Sequence, residues 1–227
     1  MPKPEVLVLR TCRDDMTAHK GFVWPARGPV EAPDWDPIPE CGHGLHGLLW
    51  GCGDATTLRY PDGRWLVVKA KASEVVDLGA KVKFPRGTVV CCGSRDDAIA
   101  YLDGHGAADK PVVYATRTAG DYGTAMAGDG GSATAGKGGS ATAGYRGTAM
   151  AGKGGSATAG YRGTAMAGVG GSATAGVGGS ATAGDYGELR IRWLDGTRYR
   201  VAVGYVGEDG IQPGVAYRCE AGRLVRA

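Results

Sequence analysis

Small apolar and hydroxyl positions alternate with a strict period between residues 116 and 191. The phrase Ala-Gly-x-x-Gly-(Ser/Thr)-Ala-(Thr/Met) recurs there every eight residues, with degenerate copies at 116–119 and 188–191. The order hydroxyl, Ala, Thr or Met, Ala has period two, which is typical of a strand. The Gly-x-x-Gly remainder is typical of a tight corner, because Gly adopts positive φ without steric cost. Each octapeptide is therefore predicted to form one strand and one corner.

A strand and a corner cannot close a ring alone, but two of each can. We therefore predict a mainly β fold: a two-sided β-solenoid of octapeptide half-coils, in which two octapeptides make one sixteen-residue coil. A disordered linker is disfavoured because Ala holds alternate sites, and a collagen helix because Gly does not recur every third residue. The competing architecture is a needle of three chains wound around one axis, which would need larger apolar residues inside.

The period assigns a direction to each side chain of the repeat. The predicted core alanines are Ala125, Ala133, Ala141, Ala149, Ala157, Ala165, Ala173 and Ala181. The outward positions form hydroxyl ladders, which are the predicted interaction face: Thr124, Ser132, Thr134, Ser140, Thr142, Thr148, Ser156, Thr158, Thr164, Ser172, Thr174, Ser180 and Thr182. Methionine is expected to interrupt these ladders on both faces. Leu189 and Ile191 fall at inward positions, where they are predicted to cap the last coil.

Different patterns flank the repeat. Residues 1–115 are predicted to form an α/β N-terminal cap, with strands at 5–9 and 64–71 and a helix after the N-cap Ser94; residues 21–39 are expected to be irregular. Residues 116–191 are the solenoid. Residues 192–227 are predicted to form a β-hairpin C-terminal cap that turns at Asp195-Gly196.

Composition narrows the function classes. The net charge of +3 over 227 residues is too small to indicate a nucleic-acid partner, and the charged residues of the repeat form no basic stripe. No nucleic-acid partner is therefore expected. No run approaches the roughly 20 apolar residues of a membrane span, so no membrane partner is expected. The N-terminal apolar run is too short for a secretory signal, and the six cysteines are predicted to be free thiols of a cytoplasmic protein. No cofactor is predicted.

One dense cluster could carry chemistry: Cys41, His43, His46 and Cys52. Two thiols and two imidazoles are the donor set of a Cys₂His₂ zinc site, although the spacing differs from that of common zinc fingers. A catalytic pair of Cys41 with His43 or His46 is a second interpretation. The interpretation that the sequence favours is a Gly-rich tight turn whose Cys and His side chains pack internally.

Two resemblances bear on the repeat and the layout. The segment 143–158, AGYRGTAMAGKGGSAT, resembles the coil of bacterial ice nucleation proteins. The chain also resembles uncharacterised phage and prophage proteins, which carry a Cys…Gly-Leu-His element (here Cys41 and 44–46) before an Ala/Thr/Gly repeat and a short β segment with an aromatic-rich strand. The second resemblance implies an architecture and no activity.

The sequence therefore favours a non-enzymatic structural or interaction protein, a rigid and phage-encoded β-solenoid scaffold that associates with itself through a solenoid face or binds another protein. The first alternative is an ice-binding or water-ordering protein, whose activity would disappear when Thr134, Thr142 and Thr174 become bulky. The second alternative is a metal-binding or enzymatic N-terminal domain.

Overall fold

The computed structural model describes residues 4–227. The chain divides into two compact units, one ending at Val112 and one comprising Val113–Ala227.

The first unit is a seven-stranded sheet with one helix. Its strands are β1 (Glu5–Cys12), β2 (Gly28–Glu31), β3 (Leu45–Leu49), β4 (Arg64–Lys71), β5 (Val76–Asp77), β6 (Val82–Phe84) and β7 (Arg86–Gly93), and its helix is α1 (Arg95–Leu102). Short turns of 3₁₀ helix occupy His19–Gly21, Ala55–Thr57 and Ala72–Glu74, and a π turn occupies Asp103–Ala107.

The strand order is β2-β7-β4-β1-β3-β6-β5. The central strands β1 and β4 are antiparallel along their whole length, from Glu5↔Lys71 to Cys12↔Arg64. The predicted strand at 64–71 is confirmed, as is the helix, whose N-cap Ser94 forms a capping box with Asp97. The expectation of an irregular segment at 21–39 is wrong in part, because β2 lies within it and pairs with β7.

The second unit is the predicted solenoid. Its repeat strands are β8 (Thr116–Ala119), β9 (Thr124–Ala127), β10 (Ser132–Ala135), β11 (Ser140–Ala143), β12 (Thr148–Ala151), β13 (Ser156–Ala159), β14 (Thr164–Ala167), β15 (Ser172–Ala175) and β16 (Ser180–Ala183). The C-terminal strands are β17 (Glu188–Leu194), β18 (Tyr199–Tyr205), β19 (Tyr217–Glu220) and β20 (Arg223–Arg226).

Each repeat strand pairs in parallel with the strand that lies two octapeptides further along the chain, as in Ser132↔Thr148 and Ser140↔Ser156. The strands form two sheets: a first solenoid sheet of order β20-β19-β16-β14-β12-β10-β8 and a second solenoid sheet of order β18-β17-β15-β13-β11-β9. The coil of two octapeptides within a single chain is therefore confirmed, and the three-chain needle is not the fold.

The interior of the solenoid consists of alanine. All eight predicted core alanines are at most 3% exposed, and the second alanine of each strand from Ala127 to Ala183 joins the same buried cluster. Burying one methyl group contributes only about 0.8 kcal/mol, so the backbone ladder must supply much of the stabilisation. That ladder runs through the corners as well: the amide of Gly138 donates to the carbonyl of Lys153 at 2.8 Å, and the amide of Arg146 donates to the carbonyl of Tyr161 at 2.9 Å.

Larger side chains close the C-terminal end. Leu189 and Ile191 are fully buried and continue the rows of Ala173 and Ala175, which confirms their predicted inward positions. Tyr217 joins the same cluster, and its hydroxyl accepts a hydrogen bond from the amide of Gln212 at 2.8 Å. The hairpin between β17 and β18 is also confirmed, but its turn is one residue later than predicted.

The shift in that turn follows from its hydrogen bonds. The amide of Asp195 donates to the carbonyl of Arg198 at 3.1 Å, so Gly196 and Thr197 are the central residues of the turn. The carboxylate of Asp195 accepts hydrogen bonds from the amides of Thr197 and Arg198 and therefore acts as the first residue of the turn.

Candidate functional site: the hydroxyl face of the repeat

The two outward surfaces of the solenoid differ in composition. On the second solenoid sheet, three consecutive rungs read Ser-x-Thr, and we call their six outward residues the hydroxyl face: Ser140, Thr142, Ser156, Thr158, Ser172 and Thr174. On the first solenoid sheet, the two central rungs carry Met150 and Met166 at the Thr position. Methionine interrupts both faces, as expected, but on the second solenoid sheet Met126 lies on the terminal rung and therefore outside the hydroxyl face.

The hydroxyl face is regular because the backbone is regular. Adjacent rungs of a sheet are about 4.8 Å apart, and outward residues two positions apart along a strand are separated by about 6.6 Å. The inward neighbours of these hydroxyl residues are buried alanines, so the side chains in the solenoid interior are too small to distort the strands. The face is thus a flat array of hydroxyl and methyl groups, with Thr142, Ser156 and Thr158 exposed.

Charge is excluded from this array and confined to its borders. The rung that follows Ser172 and Thr174 carries Glu188 and Arg190, whose side chains form an ion pair at 2.9 Å. Along one corner edge the rings of Tyr145 and Tyr161 stack in parallel, with their centroids 5.7 Å apart. The hydroxyl face is therefore neutral and bounded by charged and aromatic groups.

The predicted zinc ligands are not brought together. His46 lies on β3 and lines a cavity together with Cys41. His43 is exposed beside Asp36, with their side-chain N and O atoms 3.7 Å apart. The thiol of Cys52 lies 3.5 Å from the carbonyl of Trp50. Across residues 4–227, no group of three or more His, Cys, Asp or Glu side chains could hold a metal ion.

The favoured interpretation of this stretch as one internally packed turn is also wrong in part, since Cys41 and His43 are exposed and β3 begins at Leu45. None of the six cysteines, all of which fall within the described residues, forms a disulfide. No helix in the described part of the chain is both long and apolar enough to cross a membrane.

Comparisons with known proteins match both parts of the chain. A family model described as a domain of unknown function, DUF7666, matches residues 6–100. An ice nucleation protein of Xanthomonas campestris pv. translucens is 40% identical over 111 residues, which are 48% of this chain and 7% of that protein. One of Pseudomonas fluorescens is 41% identical over 105 residues, or 45% of this chain and 9% of that protein.

Ice nucleation protein InaU of Pantoea ananas is 36% identical over 110 residues, which cover 47% of this chain and 11% of that protein. The matched part of the chain thus spans about a tenth of the length of these relatives. No solved structure matches the chain. The resemblance of the repeat to ice nucleation protein coils is therefore confirmed, and the resemblance to phage proteins stays a prediction.

Sequence reasoning missed two features of the molecule. It did not single out Arg10 and Trp24, which line the same cavity as His46 and are distant from each other in sequence. It also assigned the outward hydroxyl residues of both sheets to one interaction face, although the positions of the methionines distinguish the two sheets. The cores that contain Met150 and Met166 are two octapeptides apart, whereas the core with Met126 belongs to the alternate octapeptides.

Proposed function

We propose that the repeat is an ice-binding module that orders water on the hydroxyl face. The observation that carries the proposal is the set of three consecutive Ser-x-Thr rungs in register on one flat, uncharged surface. Hydroxyl groups hold water by hydrogen bonds, and the methyl groups of threonine limit the competing orientations of that water. The regular spacing of rungs makes the bound water a lattice. The similarity of the repeat to ice nucleation proteins supports this proposal.

The experiment substitutes one outward threonine of each face. Thr158→Tyr places a ring in the middle of the hydroxyl face, and Thr134→Tyr places the same ring at the equivalent octapeptide position of the other sheet. We expect Thr158→Tyr to abolish thermal hysteresis and Thr134→Tyr to retain it. A wild-type protein that neither shows hysteresis nor shapes ice crystals would exclude the function. Loss of activity in both variants would show that the hydroxyl face is not the specific surface.

A second function, self-association as a scaffold, is favoured by the open edge of β18. This strand ends the second solenoid sheet and exposes Tyr199, Val201, Val203 and Tyr205, each 47% or more accessible. The amide of Val206 donates to the carbonyl of Gly187, so even-numbered residues of β18 bond to β17. In an antiparallel pair, residues that bond to the neighbouring strand alternate with residues that do not. The odd-numbered residues of β18 therefore direct their backbone groups toward the open edge of the sheet.

The sequence of β18 is nearly palindromic about Ala202. A two-fold axis at Ala202 would place Val201 opposite Val203 and Tyr199 opposite Tyr205 of a second copy. The backbone groups of these odd-numbered residues face the open edge, except that the carbonyl of Tyr205 already accepts a hydrogen bond from the amide of Glu208 at 3.0 Å. Such a dimer would extend the second solenoid sheet and place two hydroxyl faces on one surface. We propose this arrangement for the self-associating scaffold.

Sedimentation of the full chain tests the dimer. Val203→Lys puts like charges beside the two-fold axis and is expected to yield monomer, whereas Thr134→Lys, on a rung away from this edge, is expected to leave the wild-type state unchanged. A wild-type monomer at all concentrations would refute the dimer and leave the ice-binding proposal intact. Phage origin and a cytoplasmic location stay predictions.

A further inference from the structure

A cavity of the N-terminal unit lies where β1 and β3 diverge. These strands pair only at Val8↔Leu49 and Leu9↔Leu48. Beyond those pairs, Arg10 and Thr11 of β1 and residues 45–47 of β3 line a cavity of about 480 Å³. This volume is within the range of roughly 300–1,000 Å³ that is usual for small-molecule sites.

Arg10 contributes a cation that lacks an acidic partner. Its guanidinium carbon lies 4.0 Å from the ring centroid of Trp24, and its Nε and Nη2 atoms are each 3.4 Å from the carbonyl oxygen of Thr11. Among residues 4–227, no carboxylate forms an ion pair with it. Burial lowers the pKa of Arg10 to about 10, so the group is still charged at neutral pH. A desolvated cation without a counter-charge is costly, and the cavity therefore favours an anion.

Two side chains that line the cavity each have a buried nitrogen without a hydrogen-bond partner: Nε1 of Trp24 and Nε2 of His46. The indole N–H can only donate, so it requires an acceptor. Burial, with Lys81 and Arg10 as further causes, lowers the pKa of His46 to about 4, and the imidazole is neutral at physiological pH. Arg10 and Trp24 both line the cavity, and Arg10 lacks a carboxylate partner while the indole N–H of Trp24 lacks an acceptor. This combination of donors suits a ligand with several acceptor oxygens.

The rest of the wall defines the other properties of the ligand. Lys20, Arg59 and Lys81 line the cavity, while Asp34 is the one acidic residue among its lining residues. Phe22 and Leu58 supply apolar surface. We propose that this cavity binds a small organic anion, whose carboxylate or phosphoryl group contacts Arg10 and the indole N–H of Trp24 and whose apolar part packs against Phe22 and Leu58.

The test uses the full chain labelled with nitrogen-15 and three probes: benzoate, its neutral isostere benzamide, and inorganic phosphate. The readouts are the indole resonance of Trp24, assigned through Trp24→Phe, and the amide resonances of Gly44 and Gly47, which line the cavity. We expect saturable shifts with benzoate, with phosphate or with both, and none with benzamide. Benzoate alone indicates a carboxylate ligand, and phosphate alone indicates a phosphoryl ligand.

Variants then assign the donors. Arg10→Met is expected to weaken binding of the active probe at least ten-fold, whereas Arg95→Met, which makes the same charge change on α1, is expected to leave it unchanged. Trp24→Phe keeps an aromatic ring under Arg10 and serves as a second variant if Arg10→Met does not fold. It should also weaken binding, as read from Gly44 and Gly47. The proposal is overturned if no anion binds the wild type, if benzamide binds as well as benzoate, or if the folded variants bind like the wild type.

Discussion

The ring of Tyr122 lies against Gly138, which occupies the same corner of the next coil. A Cβ atom on Gly138 would come within 2.7 Å of the ring carbons Cδ1 and Cε1. Tyr114 and Gly130 repeat this contact half a coil earlier, with the same separation in sequence. The third corner position has positive φ throughout the solenoid, so a glycine there serves the backbone and, in these two coils, also makes room for an aromatic ring.

Gly138→Ala should therefore destabilise the solenoid more than Gly154→Ala does. Both residues have left-handed φ, of 65° and 68°, but nothing lies within 4 Å of a Cβ on Gly154. The left-handed conformation costs alanine roughly 1 kcal/mol at either site. Displacement of the Tyr122 ring should add on the order of 1 kcal/mol at Gly138. Urea denaturation followed by circular dichroism measures the difference; equal losses would show that the ring contact contributes nothing.

Deletion of one full coil should be tolerated. Removal of residues 145–160 joins Gly144 to Tyr161, keeps each later strand in its own sheet and removes one Ser-x-Thr rung. Because repeat stability is nearly additive, the loss should be on the order of 1–2 kcal/mol.

Deletion of residues 145–152 is the matched control, since it also preserves the octapeptide register. It moves each later strand to the opposite sheet, however, so Leu189 and Ile191 would lie in the first solenoid sheet instead of the second. We expect a cooperative melting transition for the full-coil deletion and aggregation or loss of cooperativity for the half-coil deletion. Similar melting of both variants would contradict the requirement for two octapeptides per coil.

Leu189 should be the costliest truncation at the C-terminal end. It is fully buried on β17, where it continues a row of alanines, so Leu189→Ala leaves a cavity and should cost about 2–5 kcal/mol. Leu194 lies on the same strand but is 52% exposed, and Leu194→Ala should change stability by less than about 0.5 kcal/mol. Chemical denaturation of both variants provides the comparison. A small effect at Leu189 would mean that the cap does not depend on this side chain.

His46 should make the N-terminal unit sensitive to mild acid. Its pKa is lowered to about 4 in the folded protein, below the value of about 6.5 for an unfolded chain. The unfolded state therefore binds the proton first, and stability that is present above pH 6.5 is lost progressively as the pH falls toward 4. His46→Gln cannot titrate, so its melting temperature should fall less between pH 7 and pH 5 than that of the wild type. Parallel pH profiles of the two proteins would be evidence against this account.

The repeat could be predicted almost completely from its sequence. A period of eight with alanine at alternate sites permits one strand direction and one burial pattern, and Ala133 and Ser132 occupy the inward and outward positions that the alternation assigns. The turn at Asp195 was predicted to within one residue because an Asp-Gly pair is typical of a tight hairpin turn. In the structure Gly196 has positive φ, and the Asp195 carboxylate accepts a hydrogen bond from the amide of Arg198. These features depend on neighbours in sequence or on a fixed period.

The N-terminal cavity could not be predicted in this way. Its wall includes Arg10, Trp24 and His46, which lie on separate segments of the chain. These segments come together because β1 and β3 pair over only two residues, and no local sequence pattern indicates where that pairing ends. The Cys and His cluster shows the converse: residues close in sequence separate because His46 lies on β3, whereas Cys41 and His43 precede that strand and Cys52 follows it.

By itself, the sequence determined the coil of two octapeptides, its alanine interior and its two hydroxyl-bearing surfaces, because each coil repeats the same local geometry and contacts only its neighbours. Only the tertiary structure decided that Arg10 stacks on Trp24 beside a cavity and that β18 forms the open edge of the second solenoid sheet. Both depend on pairing between segments that are distant in the chain, and the free energy of such pairing is set by the packing of the whole unit.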